Sequence, residues 1–289
     1  MDKEVEIEIG RVNKDVYEAV FQKILNHRGW QDVVTPSYWT GPETVCRGKL
    51  KAHKISICTN VMDRLEDIRR TLPENIKSNM DYEKVEHLVL DYNSKDGFTD
   101  WVKKDMREEI RSGRLVVYRT TDPSDYSMAH SRNVSFKLAS GDIVNNVDAD
   151  NYTNSGFAKE VNYLANQRPE KAAFAKGKTM LRGRLGFYRQ EFINLLGGYD
   201  EEITGYGHED HDLLYRSYGL GFMMMYFGGK YCTLVEGHKK AQMDNFTNKN
   251  KRYTEKRNKL ISFFNLHYGI FKANTHREWG QANVERIEC

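Results

Sequence analysis

Only five prolines punctuate the 289 residues, and no internal repeat or low-complexity tract is present. A long flexible linker and a repeat array are thereby excluded. The four cysteines, Cys46, Cys58, Cys232 and Cys289, form no CxxC pair. Zinc-ligand spacing and a disulfide framework are both missing, so reduced thiols in a cytoplasmic protein are expected. The longest apolar run, GFMMMYFGG at 221–229, is far too short to span a bilayer, and any membrane contact is expected to be peripheral. Charge of one sign is also scarce: 44 Lys and Arg face 41 Asp and Glu, a formal net charge of +3. That balance gives no general case for a nucleic-acid partner, and within the basic stretch 238–259 the segment 249–259 alternates Lys and Arg with Asn, Tyr and Glu as a solvated helix face does. The opening MDKEVEIEIG is charged from its second residue, so no signal peptide is expected.

What is present is an ordinary globular composition, 39% hydrophobic and 29% charged. Residues 14–27 carry apolar positions at helical spacing and open an N-terminal extension, 1–52. From Lys54 onward strand and helix patterns alternate: strands at 54–61, 85–94, 114–120 and 142–150, with helices at 63–76, 97–113 and 127–141 between them. Strand runs that are apolar almost throughout predict an α/β domain with a mostly parallel sheet covered on both faces. The domain is expected over 53–265, divided into a nucleotide-binding half (53–150) and an acceptor half (151–265), followed by a tail, 266–289. Further strands are expected at 221–227 and 230–236, and a basic helix at 249–264. Ligands of such sheets sit beyond the carboxyl ends of the strands. Thr59, Asn60, Asp63, Asp91 and Asn93 all fall at that rim.

Two patterns carry chemistry. VNNVDADNYTNSGF, 144–157, delivers Asp148 and Asp150 to a predicted strand end with only Ala149 between them. Strand alternation would point both carboxylates the same way, where a divalent cation would remove their mutual repulsion. GGYDEEITGYGHEDHDLLYR, 197–216, sets glycines and aromatics before Glu209, Asp210 and Asp212 at a predicted helix N-terminus, where the helix dipole favours anions.

An α/β half ending in Asp-Ala-Asp, followed by this glycine-acid segment and then by VEGH, resembles glycosyltransferases of the GT-A fold. The likeness is to the family 2 enzymes and to the β-1,4-galactosyltransferase and chondroitin-polymerase type domains, and it covers roughly residues 54–265. It implies a Rossmann-like sheet, a UDP-sugar donor, and Mn2+ or Mg2+ held by Asp150, Asp148 and His238. It implies Asp210 as the catalytic base of an inverting transfer, with Glu209 beside it binding a sugar. Nucleotide contacts are implied at Thr59, Asp63, Asp91 and Asp148, with Arg132 of SRN (131–133) on the diphosphate or base. A carboxylate at Asp91 would accept from uracil N3–H, which favours uracil over cytosine, where an acceptor stands at that position; UDP is expected over GDP. Lys178, Lys239 and Lys240 are candidates for cationic help, and Tyr188, Tyr206 and Trp279 for stacking on an acceptor. The acceptor class is left open among glycans, lipid-linked sugars, peptides and small molecules.

The chain departs from the family pattern at His208 and His211, at CTNVMDR after the first strand, and in its N-terminal extension. Two other classes stay open on the residues: a nucleotidyltransferase, against which the glycine-free CTNVMDRLED loop counts, and a non-catalytic sugar- or partner-binding module.

Overall fold

The computed structural model describes residues 50–176, 185–235 and 243–289. The helix expected at 14–27, the N-terminal extension, Cys46, Lys178, His238, Lys239 and Lys240 lie outside the described residues. The first half runs β1 (Ile55–Val61), α1 (Leu65–Ser78), β2 (Val85–Tyr92), α2 (Phe98–Asp105), α3 (Arg107–Arg111), β3 (Leu115–Thr120), α4 (Met128–Leu138) and β4 (Ile143–Asn146). It continues with β5 (Asn151–Thr153), α5 (Phe157–Gln167), β6 (Ala172–Lys176) and β7 (Leu185–Tyr188). A π-helical turn (Phe192–Leu196) then precedes α6 (Glu209–Gly219), β8 (Met223–Phe227), β9 (Cys232–Leu234), α7 (Lys251–His267) and β10 (Glu285–Arg286).

Eight strands form one sheet in the order β10-β3-β2-β1-β4-β7-β6-β8, while β5 and β9 form a small antiparallel pair. The apolar runs fix the centre: every residue of β1 is buried, as expected of a parallel strand with both faces covered. β1 pairs in parallel with β2 on one side and β4 on the other, so the chain's direction of travel reverses between β1 and β4. That reversal is the topological switch point at which such sheets bind ligands. β7 runs antiparallel beside β4, and β10 antiparallel beside β3, so the sheet is mixed at its outer parts. Among the described residues no helix is long and apolar enough to cross a membrane, and Cys58 and Cys289 are free thiols.

Three expectations need correction. The helix predicted at 97–113 is two, α2 and α3, because Met106 leaves helical geometry (φ −114°, ψ 20°) and buries its side chain in the core. The strand predicted to 150 ends at Asn146, so Asp148 and Asp150 sit in a turn and not on one strand face. The stretch from 151 to 188, for which no element is expected, holds β5, α5, β6 and β7. The 266–289 tail adds the edge strand β10 to the main sheet.

His87, in the middle of β2, is buried, its Nε2 has no hydrogen-bond partner, and burial pushes its pKa down to about 4 against weaker opposition from Glu86. A histidine kept neutral in the fold but free to protonate when unfolded loses stability as pH falls from 6.5 towards 4, about 3 kcal/mol in all. Urea denaturation of wild type and His87→Gln at pH 7 and pH 4.5 should therefore show the difference between them moving by about 2.5 kcal/mol in the variant's favour at the lower pH. An unchanged difference would mean that His87 protonates within the fold.

Candidate functional site

The Asp-Ala-Asp turn is held by main-chain and side-chain bonds from three directions. Val147 N donates to Cys58 O (2.9 Å), continuing the β1–β4 ladder one residue past β4. Thr59 Oγ1 donates to Val147 O (2.8 Å) and Thr71 Oγ1, from α1, to Ala149 O (2.7 Å). Asn151 N closes the turn onto Asp148 O, and Val235 N donates to Asp150 O, both at 2.9 Å. Ala149 packs into the cluster of Val61, Leu65 and Ile68, which explains a small apolar residue between the acids: its side chain enters the core. Asp148 Oδ1 accepts from Asn146 Nδ2 (3.0 Å), and Arg64 lies 3.6 Å from Asp150 Oδ2.

The second half of the site is carried on a loop shaped by glycine. Gly197 and Gly198 have φ +65° and +77°, and a Cβ on them would meet Ala273 O at 2.3 Å and the Trp279 ring at 2.5 Å. This bend returns the chain so that Tyr199 enters the core, and α6 then begins at Glu209. His208, the residue before α6, adopts φ +76°, unusual for a non-glycine residue. It stacks on His211 (5.5 Å between ring centres), and burial lowers its pKa to about 3, so it is neutral. Beneath α6, Arg216 and Asp212 form a fully buried ion pair (2.7 Å), and the same guanidinium donates to Leu196 O and Gly198 O. α7 supports the outer side: Asn258 Nδ2 donates to Thr204 O and Gly207 O, and Thr254 Oγ1 to Tyr206 O.

Arg132 of α4 joins the two halves. Its guanidinium is 4% exposed; Nη1 donates to Glu209 Oε1 (2.8 Å) and Asp210 Oδ1 (3.1 Å), and Nη2 reaches Asp148 Oδ1 at 3.4 Å. One buried cation thus meets carboxylates from the β4 turn and from the first turn of α6. Burial opposes the charge on Arg132, but the neighbouring acids, Asp210 foremost, raise its pKa well beyond the ordinary value. Glu209 moves the other way: burial and the charge of Asp210 push it up to about 7 despite Arg132, and its Oε2 is buried without a hydrogen-bond partner. A carboxyl in that state can exchange a proton or receive a ligand hydroxyl near neutrality.

The structure therefore joins Asp148, Glu209 and Asp210 through Arg132 in one cluster, with Asp150 in the same turn as Asp148 and beside Arg64. Thr59 and Asp63 stand at the β1 side of the cluster, Thr59 bonded to Val147 O and Asp63 Oδ1 accepting from Lys95 N (2.6 Å). Asp91 is fully buried: Oδ1 accepts from Ser94 N (2.8 Å), Oδ2 from Thr99 Oγ1 (3.0 Å), and Arg119 lies 3.6 Å away. Its pKa is raised by burial, against those donors. The three aromatics differ. Tyr188 donates to Ala165 O and Arg168 O in the core, Trp279 lies under Lys137 Nζ at 3.9 Å, and Tyr206 lies under Lys251 Nζ at 4.1 Å and beside Phe246. Among the described residues no three His, Cys, Asp or Glu side chains cluster for a metal. Sequence reading passed over Tyr199 and Asn133, whose contacts span 11 residues and more; the only local hint was Asn133 standing next to Arg132.

No protein-family model and no curated protein matches the sequence. Solved structures do. The mannosyltransferase PcManGT from Pyrobaculum calidifontis, bound to GDP-Man and Mn2+, matches at TM-score 0.55 and 17% identity over 92% of this chain and 85% of that one. S. aureus TarS 1–349 with UDP-GlcNAc matches at TM-score 0.54 and 15% identity, over 77% of this chain and 74% of that one. GalNAc-T7 with UDP, GalNAc and Mn2+ matches at TM-score 0.53 and 13% identity, over 67% of this chain and 46% of that one. The chain has the GT-A fold of these glycosyltransferases.

Removing the cation from this cluster should be severe. Arg132→Met leaves Glu209 and Asp210 buried without their counter-charge, and a loss of about 3–5 kcal/mol is expected in urea denaturation at pH 7.5. A loss below about 1 kcal/mol would mean that the acids are neutralised some other way.

Proposed function

We propose that the protein is a metal-dependent glycosyltransferase that moves a sugar from a UDP-sugar to an acceptor hydroxyl with inversion, in the cytoplasm. The observation that carries this is the buried guanidinium of Arg132, which ties Asp148 of the β4 turn to the Glu209–Asp210 pair of α6, beyond the strand end next to the switch point of the sheet. The nucleotide-sugars and Mn2+ bound by the solved structures of the same fold support the class of donor and cofactor.

Asp148 and Asp150 are hard oxygen donors at the carboxyl edge of the sheet, and they fit Mn2+ or Mg2+ as ligands, with His238 as the proposed third. When bound, the ion would neutralise charge developing on the leaving diphosphate. Thr59, Asp63 and Asp91 are assigned to the nucleoside; for Asp91 this means exchanging the Thr99 donor for uracil N3–H. N3–H offers that carboxylate a donor where cytosine has an acceptor, which favours uracil over cytosine.

Asp210 is assigned as the base. The acceptor O–H proton passes to its carboxylate, the oxygen lone pair forms a bond to C1 of the donor sugar, and the C1–O bond to the diphosphate breaks with its electron pair leaving on the nucleotide. Burial keeps Asp210 away from bulk water, and Arg132 holds its Oδ1. Glu209, with Oε1 on Arg132 and Oε2 without a partner, is assigned to a sugar hydroxyl.

Titration calorimetry of UDP into metal-stripped protein, with and without Mn2+, tests the donor half. Binding is expected to require both Mn2+ and Asp150, and to be lost in Asp150→Ala. GDP binding in place of UDP would reassign the nucleotide; no metal-dependent binding of either would sink the proposal. Asp210→Asn is expected to keep UDP binding while slowing UDP release from a UDP-sugar by at least about 100-fold.

A further inference from the structure

Tyr199 is fully buried, yet it carries a hydroxyl. Its ring packs against Phe136 (6.3 Å between centres) and Phe192 (5.8 Å), and the hydroxyl leaves this aromatic cluster to donate to Asp210 Oδ1 at 3.2 Å. A phenol placed in a core only for packing would be served as well by phenylalanine, without the cost of burying a polar group. The main chain around it is fixed with equal care. Tyr199 N donates to Asn133 Oδ1 (2.8 Å), and Tyr199 O accepts from Asn133 Nδ2 (2.9 Å) and Asn274 Nδ2 (2.7 Å). Burial and the negative charge of Asp210 raise the pKa of the hydroxyl well above its ordinary value, so it stays protonated and acts as the donor.

Two adjacent residues of α4 therefore reach the same carboxylate oxygen by separate routes. Arg132 donates to Asp210 Oδ1 directly, and Asn133 clamps the backbone of the tyrosine that donates to it. We propose that Tyr199 is a positioning residue: with Arg132 it holds Asp210 Oδ1 from two sides and thereby fixes the plane of the carboxylate. The inference rests on Asp210 being the base of the transfer proposed above. It adds that Asp210 cannot swivel in its pocket, so the geometry of attack is set by α4 and not by the acceptor.

The test is Tyr199→Phe, which keeps the ring and removes one oxygen, compared with Asp210→Asn and Asp210→Ala. UDP release is followed with UDP-glucose, UDP-galactose, UDP-GlcNAc and UDP-GalNAc, water serving as acceptor. For the donor that wild type cleaves fastest, Tyr199→Phe is expected to lower kcat about 10-fold to 100-fold, to move KM less than 2-fold, and to leave calorimetric UDP–Mn2+ binding unchanged. A purely structural role would move stability and KM together. Urea unfolding supplies a readout that needs no turnover: the unfolding constant should rise in Tyr199→Phe, and should not rise when the same change is made in Asp210→Ala, where the hydroxyl has already lost its acceptor. Full kcat in Tyr199→Phe with an inactive Asp210→Asn overturns the positioning role and leaves the base assignment standing. An active Asp210→Asn, or no UDP release by wild type from any of the four donors, overturns the base reading and this inference with it. An equal rise in the unfolding constant in both backgrounds shows that the hydroxyl does not act through Asp210, and also overturns it.

Discussion

The buried charge of Arg132 is the constraint on which the site depends. Glu209 and Asp210 are adjacent, both about 6% exposed, and would repel each other in a poorly solvated setting. The N-terminus of α6 offers them partial positive charge, but a helix end supplies only a modest fraction of what two desolvated carboxylates need. A full guanidinium supplies the rest, and its planar fork meets acids from separate segments where an ammonium would act as a point charge. Among the described residues Arg132 faces Asp148, Glu209 and Asp210, and Glu209 is raised to about 7 because burial and the charge of Asp210 outweigh that cation.

Much of the backbone around this cluster is neither helix nor strand, so its polar groups must be satisfied by side chains. Asparagine does most of that work. Asn133 and Asn274 bind the 197–201 bend, Asn258 binds the 204–207 loop, and Asn75 binds both sides of β5, donating to Asn151 O and accepting from Thr153 N. An amide offers a donor and an acceptor on one planar head, so each substitutes for a strand neighbour. Arg216 does the same beneath α6, where its pairing with Asp212 leaves nitrogen atoms for two carbonyls of the bend. The glycines make the bend; these side chains make it a single conformation.

This division explains what was legible in the sequence. Strands β1 to β4 and helices α1 and α4 could be read because apolar runs and helical periodicity are local signals, and the acids could be placed at the rim because strand ends follow from the same runs. Asp148 and Asp150 were placed at the right edge but on the wrong element, since nothing in VNNVDAD marks the end of hydrogen bonding at Asn146. β5, β6 and β7 are short, and their residues, NYT, AAFAK and LGFY, are too few to show a period. Arg132 was singled out from its motif, but its partners lie 16, 77 and 78 residues away, and no local pattern reports a contact of that kind. Asp91 shows the converse: its position at the end of β2 was readable, while its engagement by Ser94 and Thr99 depends on how the following loop turns back.

The acids around Arg132 also differ in exposure in a way that suits the different tasks proposed for them. The Asp148 side chain is 38% exposed, whereas Glu209 and Asp210 are closed off. A carboxylate that must meet a hydrated cation has to remain reachable, because the cation sheds its water stepwise as ligands replace it. A carboxylate that takes a proton gains from the opposite condition, since water at its oxygens would compete with the acceptor hydroxyl and weaken the fields that orient it. Arg132 spans that gradient from below, touching the exposed acid with Nη2 and the enclosed pair with Nη1. The same guanidinium can therefore stabilise both only because β4 and α6 bring an open acid and a closed pair to opposite ends of one planar group, a geometry that neither segment could produce alone.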